Sequence, residues 1–201
     1  MRPIIFDFGG VLIQWHAERA FARHFANDVE ARGWMARIGF PGWNAMLDAG
    51  DDLASVARAA RDEHGEDARP LASYADDFAA SIADPVPGTW NVLHALSDAG
   101  HPLYGLTNWS AETFHHAEAL YPELRTLFLD IVVSGRERVA KPDLAIFRLL
   151  CTRNGLDPAD CLFIDDSAAN VAAARDLGMD AIRFTDADAL MHELASRGIA
   201  V

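Results

Sequence analysis

The apolar positions of this chain fall into two patterns that take turns along it. Short runs rich in Ile, Val, Leu and Phe occur at IIFDF (4–8), PLYGLT (102–107), DIVVSG (130–135), CLFID (161–165) and DAIRF (180–184), and each predicts a strand. Between most of them lie helix-patterned stretches, TWNVLHALSDAG, DLAIFRLLCTRNG and SAANVAAARDLG. All three close on Gly, the residue expected just past a helix C-terminus. Strands alternating with helices of this length predict a parallel α/β sheet with right-handed crossovers.

Residues 16 to 84 break the alternation. They hold no convincing strand but several helical patterns, AERAFARHFAND, WNAMLDAG, DLASVARAARDEHG and LASYADDFAASIAD, interrupted at GFPGW and ARP. The expectation is an all-helical insertion lying as a lid over the sheet, with DPVPG (84–88) returning the chain to its core. That gives an α/β core of residues 1–15 and 85–201 and a helical cap of 16–84.

Composition narrows the class. With 201 residues, 51% hydrophobic and 23% charged, the chain can bury a proper core. No apolar stretch approaches the roughly 18 residues a membrane span needs. The first strand-like run starts too early for a secretory signal to precede it, so a cytoplasmic location is expected. Cys151 and Cys161 have no metal-ligand spacing and sit among apolar residues, as free core thiols do. A net charge of −13 argues against nucleic-acid or anionic-membrane partners, which basic patches hold. Oligomeric state stays open. An acidic protein that handles an anion needs a local cation or a metal.

In an open parallel sheet, ligands bind beyond the carboxyl ends of the strands. The polar residues expected there are Asp7 ahead of a Gly pair, Thr107 and Asn108, Lys141 before a Pro-marked helix start, and Asp165, Asp166 and Ser167. Singly, each Asp has an ordinary reading as a helix cap or turn residue. Together they crowd carboxylates on one edge, which costs several kcal/mol unless a cation joins them. Oxygen ligands of this kind suit Mg²⁺ shared with a phosphate.

Lys141 is the only lysine, against sixteen arginines. Codon bias explains such a count by accident. The alternative is that a crowded anionic site accepts a compact ammonium and not a planar guanidinium.

FDFGGVL, LTNWS, AKPDLAIF and FIDDSAANVAAARDLG together resemble the four ordered motifs of the haloacid dehalogenase superfamily. The resemblance spans residues 4 to about 178 and includes a helical cap at the place where that superfamily inserts one. It implies a doubly wound, Rossmann-like parallel sheet and a Mg²⁺-dependent phosphohydrolase acting on a small phosphorylated metabolite. Asp7 would be the nucleophile that forms an aspartyl intermediate. The other Asp7 oxygen, the Gly9 carbonyl and Asp166 would hold Mg²⁺, with Asp165 nearby or acting through water. Thr107 and Asn108 would bind oxygens of the transferred group, and Lys141 would neutralise nucleophile and substrate together.

One position departs from the pattern. Phosphatases of the superfamily usually read Asp-x-Asp, the second Asp serving as general acid and base, and here that residue is Gly9. Its loss should slow turnover or restrict the enzyme to good leaving groups; a sugar 1-phosphate fits, and some sugar-phosphate phosphatases of the family read Asp-x-Gly. His16 is a candidate substitute, with a structural role as the plainer reading. Trp15, Trp34 and Trp43 fall in or beside the cap and Trp109 follows Asn108. They read as packing or as stacking surfaces for a sugar. Arg37 and Asn44 are the polar cap candidates.

Two other functions remain open from the sequence. A metal-free 2-haloacid dehalogenase also uses an Asp nucleophile and lacks the second Asp, but the Asp165–Asp166 pair counts against it. A non-catalytic binder of phosphate or metal is the third.

Overall fold

The computed structural model describes residues 1 to 200. Five strands, β1 (Ile4–Phe6), β2 (Leu103–Thr107), β3 (Phe128–Val133), β4 (Leu162–Asp165) and β5 (Asp180–Arg183), form one sheet in the order β3-β2-β1-β4-β5. Every pairing is parallel. The chain steps outward from β1 through β2 to β3, then crosses back to β4 and β5. This is the parallel α/β sheet expected from the alternation, doubly wound as the resemblance implies, with its switch point beside β1.

The strands bury both faces, and their period of two sorts side chains between two cores. Ile4, Phe6, Leu162, Ile164 and Ile182 belong to one cluster. Ile5, Tyr104, Leu106, Phe163 and Ala181 belong to the other.

Between residues 17 and 82 the chain is helical, with α1 (Asp28–Arg37), α2 (Phe40–Asp48), α3 (Leu53–His64), α4 (Phe78–Ser81) and two 3₁₀ segments, Ala17–Phe21 and Gly65–Ser73. Local chemistry explains two of three departures from the expected helices. The pattern over 17–28 does not run as one helix, because Asn27 caps a new one: its side chain accepts from Glu30 N at 3.0 Å, and Glu30 reaches back to Ala26 N at 3.2 Å. GFPGW contains a helix start, since Pro41 occupies the first turn of α2, where a missing N–H costs nothing, and Gly39 takes the left-handed φ of 63° before it. Pro70 lies inside the second 3₁₀ segment, and the pattern over 71–84 yields only the four residues of α4.

The core helices are α5 (Thr89–Asp98), α6 (Phe114–Leu120), α7 (Leu124–Leu127), α8 (Ser134–Glu137), α9 (Leu144–Asn154), α10 (Ala168–Asp176) and α11 (Ala187–Ser196). The Gly residues that close α5, α9 and α10, namely Gly100, Gly155 and Gly178, all take positive φ. The two connections to the helical segment run side by side: Val86 N donates to Leu12 O, Gln14 N to Asp84 O and His16 N to Ser81 O, at 2.8, 2.9 and 2.8 Å. Across the gap, Leu53 N donates to the Glu112 carboxylate at 2.8 Å, and His116 Nε2 bonds the Ala75 carbonyl at 3.0 Å. Phe21, Trp34, Phe40 and Tyr74 share the hydrophobic cluster of the adjoining sheet face. Among the described residues, no helix is long and apolar enough to cross a membrane.

Candidate active site

Asp7 follows β1 directly and is anchored by its own backbone, Asp7 N donating to Ile164 O at 2.9 Å. The chain then turns sharply: Val11, Leu12 and Ile13 all direct their N–H groups at the Phe8 carbonyl. Gly10 makes the turn possible, with φ of 76°, and a Cβ there would lie 2.6 Å from Asp166 Oδ2. Only a glycine lets the backbone pass so close to that carboxylate.

Lys141 is fully buried and spends its three N–H donors inside the protein. Nζ lies 2.9 Å from Asp7 Oδ1 and 2.7 Å from Asp165 Oδ2, and donates to Leu106 O at 2.8 Å. Its backbone is held from both sides. The Asn108 carboxamide accepts from Lys141 N at 2.8 Å and donates to Lys141 O at 2.9 Å, while Asp143 caps α9 through Ala145 N. Asn108 therefore clamps the lysine segment while still lining the pocket.

Asp165 is saturated. Besides the ammonium it accepts from Ser167 N at 2.8 Å and from Asn170 Nδ2 at 3.1 and 3.0 Å. It orients Lys141, with little acceptor capacity left over. Asp7 differs: Oδ1 accepts from Phe8 N and meets Lys141, and Oδ2 has no hydrogen-bond partner among the described residues. Burial pushes the Asp7 carboxyl up to about 7, with the Lys141 ammonium opposing and the Asp165 charge adding to the shift. Asp166, at the open edge, is raised by desolvation and then by Asp165.

One oxygen from each of Asp7, Asp165 and Asp166 falls within 4.8 Å of the others. Three carboxylates against one ammonium leave the cluster short of positive charge. The Gly9 carbonyl accepts no hydrogen bond among the described residues, and the Thr107 hydroxyl is buried without a partner. An oxygen-rich, electron-rich cluster with spare acceptors fits a hard divalent cation.

A cavity of about 380 Å³ opens over this cluster. Of the residues predicted for the site, Asp7, Gly9, Asp166, Asn108, Trp15, Asn44 and Trp109 line it. Arg37 and Trp43 do not; they line a separate cavity. Arg37 turns to Asp67, and the Trp43 indole donates to Ile38 O at 2.6 Å. The indole of Trp34 is likewise spent, on Asp67 O. His16 stays in the linker, its ring bonded to Gln14 Oε1 at 3.1 Å.

Sequence reasoning missed Asp48, Tyr74, Phe78, Ser110 and Thr113, which also line the cavity. A signal existed for one of them: Asp48 lies four residues after Asn44 in α2, the spacing that puts two side chains on one helix face. The Tyr74 hydroxyl donates to Asn44 Oδ1 at 3.1 Å, and Asn44 Nδ2 donates to Asp48 Oδ2 at 2.9 Å. Burial pushes Asp48 up to about 7, against the opposing pull of Lys141, the Ser110 backbone N–H and Asn44.

Comparison with known proteins gives this geometry a lineage. The chain is 28% identical over 193 residues to a validoxylamine A 7′-phosphate phosphatase of Streptomyces hygroscopicus subsp. limoneus, covering 92% of this chain and 88% of that protein. It is 33% identical over 104 residues to a sesquiterpene phosphatase of Aspergillus oryzae, covering 52% of this chain and 53% of that one. The chain thus spans about half the length of that relative, and between 16% and 25% of four further curated ones. A haloacid dehalogenase-family enzyme from Bacteroides thetaiotaomicron superposes with a TM-score of 0.75 at 21% identity, over 96% of this chain and 98% of that one; it has also been solved with magnesium and inorganic phosphate. The family description that matches residues 1–178 is haloacid dehalogenase-like hydrolase. With that match covering most of its length, the chain belongs to the haloacid dehalogenase-like hydrolases.

Proposed function

We propose that this protein is a Mg²⁺-dependent phosphohydrolase of small phosphorylated metabolites that works through an aspartyl-phosphate on Asp7. The observation that carries the proposal is the Asp7–Lys141–Asp165 chain set against Asp166, a cluster whose excess negative charge calls for a divalent cation. The phosphatase names of two relatives support the same reading. Asp7, the Gly9 carbonyl and Asp166 would hold Mg²⁺, which when bound screens the phosphate charge. Asp7 would attack phosphorus with the carboxylate oxygen that does not hold the metal, the bond from phosphorus to the ester oxygen breaking as the alcohol leaves with a proton from solvent. Water would then hydrolyse the acyl phosphate to inorganic phosphate and free Asp7, so that one displacement becomes two easier ones. Lys141 would hold the attacking carboxylate ionised and stabilise the charge that develops beside it. The unpartnered Thr107 hydroxyl and the remaining Asn108 amide N–H would bind phosphoryl oxygens. Residues 16–84 would act as the cap that shuts water out and selects the leaving group. Free buried thiols at Cys151 and Cys161 support a cytoplasmic setting.

The test is phosphate release from a panel of phosphomonoesters, including sugar 1-phosphates and an activated aryl phosphate, with Mg²⁺ and with EDTA. Release that requires Mg²⁺ is expected. Halide release from 2-haloacids without metal, in the absence of any phosphate release, would replace this reading with dehalogenation.

Gly9 should limit the enzyme to leaving groups that need little protonation. A Cβ built at Gly9 meets nothing within 4 Å, so a side chain can be introduced there without a clash at its first carbon. Gly9→Asp is expected to raise kcat on an unactivated alkyl phosphate by about tenfold or more relative to the aryl phosphate, part of the ~10²–10⁴ a general acid supplies. An equal change on both substrates would show that leaving-group protonation is not what limits turnover.

The raised Asp7 carboxyl also predicts how metal and pH interact. Its folded pKa near 7 lies above the unfolded value of about 3.9, so between those values the folded state binds more protons and stability falls as pH rises. Mg²⁺ competes with that proton. The rise in Tm produced by Mg²⁺ should therefore be larger at about pH 8 than at about pH 5.5. A rise independent of pH would remove Asp7 from the metal site.

A further inference from the structure

The inference rests on the phosphohydrolase reading and concerns what the leaving group carries. The pocket contains no arginine, lysine or histidine among its lining residues. Among the described residues the one cation shown to reach the site is Lys141, whose Nζ donates to Asp165 and Leu106 and is ion-paired with Asp7. Nothing remains to neutralise a second anionic group on a substrate.

The cap side presents the opposite charge. Asp48 ends α2 inside the pocket, and no ion pair reaches it among the described residues. The polar groups around it are turned toward it: Tyr74 donates to Asn44, and Asn44 donates to Asp48. A donor chain that ends on a carboxylate leaves an oriented acceptor, since a carboxylate has about four lone-pair sites and the Asn44 amide and the Ser110 backbone N–H account for two. A partly buried carboxylate without a counterion is costly to keep, and a donor on a ligand relieves that cost.

We infer that Asp48 is a specificity-determining residue: it reads a hydrogen-bond donor, hydroxyl or ammonium, on the alcohol side of the ester and rejects alcohols that carry a second phosphate or a carboxylate. Trp15, Tyr74, Phe78 and Trp109 supply the apolar walls around that donor, which suit the C–H faces of a polyol or an alkylammonium alike.

The test measures kcat/KM for three small phosphomonoesters of similar size, glycerol 1-phosphate, 2-aminoethyl phosphate and phosphoglycolate, with saturating Mg²⁺ at about pH 8, where Asp48 is mostly ionised. The wild-type protein is expected to favour both donor-bearing esters over the carboxylate by about 100-fold or more, the scale of a like-charge clash. Asp48→Asn is expected to shrink that ratio at least about tenfold. A preference for 2-aminoethyl phosphate over glycerol 1-phosphate assigns the effect to charge, and equal rates assign it to hydrogen bonding; either fits the inference. Comparable hydrolysis of phosphoglycolate by the wild type overturns it, whatever the variant does, as does an unchanged ratio in a folded Asp48→Asn. Absence of hydrolysis of every ester, aryl phosphate included, would sink the phosphohydrolase reading together with this one, whereas hydrolysis without discrimination sinks this one alone.

Discussion

Asp7→Asn is expected to lower kcat by at least about 10⁴-fold while leaving the protein folded, as removal of a covalent nucleophile does. The two halves of the prediction come from the same geometry. Asp7 is a desolvated carboxyl that shares Lys141 with Asp165. Replacing it with a neutral isostere removes one charge from a crowded cluster, and Lys141 keeps its shorter contact, at 2.7 Å, to Asp165. Stability without metal should be unchanged or higher, and Mg²⁺ should no longer raise Tm as it does in the wild type. Inactivity alone would not separate chemistry from misfolding; inactivity with an unshifted or raised Tm does. Activity within about tenfold of wild type would refute the nucleophile assignment.

The second large effect concerns the single lysine. Lys141→Met should both slow catalysis and destabilise the fold, because it leaves Asp7 and Asp165 buried together with no counter-charge. Breaking such a pair costs about 3–5 kcal/mol. Lys141→Arg keeps the charge and isolates the shape. The side chain has no exposure, its Nζ is within 3 Å of three oxygens, and it lies 5.5 Å from the centre of the Phe163 ring. A planar guanidinium cannot put one nitrogen at all three oxygens without moving that packing. Lys141→Arg is expected to lose about 10²–10³-fold in kcat, the scale of one misplaced charge-stabilising donor. Wild-type kinetics for the arginine variant would mean that the lone lysine reflects codon usage.

How much of this was legible in the sequence follows from where each residue sits. Asp7, Thr107, Lys141 and the Asp165–Asp166 pair could be located because a parallel sheet sends strand carboxyl ends to one edge, and short apolar runs mark those ends. The residues that move away from that edge were harder to place. Asn108 could be put there by position, yet its carboxamide is largely taken up by the backbone of Lys141, thirty-three residues on, a contact no local pattern carries. In the helical segment, residue type alone misled. Trp43 and Arg37 have the chemistry of ligand-binding side chains, but the first hydrogen-bonds its own helix entry and the second pairs with Asp67. Their neighbours Asn44 and Asp48 face the pocket instead. The helix face decides, and recognising it requires knowing which face of α2 meets the core. Boundaries were lost where capping overrode pattern, as at Asn27 and Pro41.

The most direct test of the account is to catch the covalent intermediate. The protein would be mixed with an activated aryl phosphate and Mg²⁺, quenched in acid within one turnover, digested, and mapped by mass spectrometry. The account predicts a phosphoryl group on the peptide containing Asp7, labile to hydroxylamine, absent with EDTA and absent from Asp7→Asn. Phosphate release by the wild type with no adduct at any quench time, or an adduct on another residue, would contradict it.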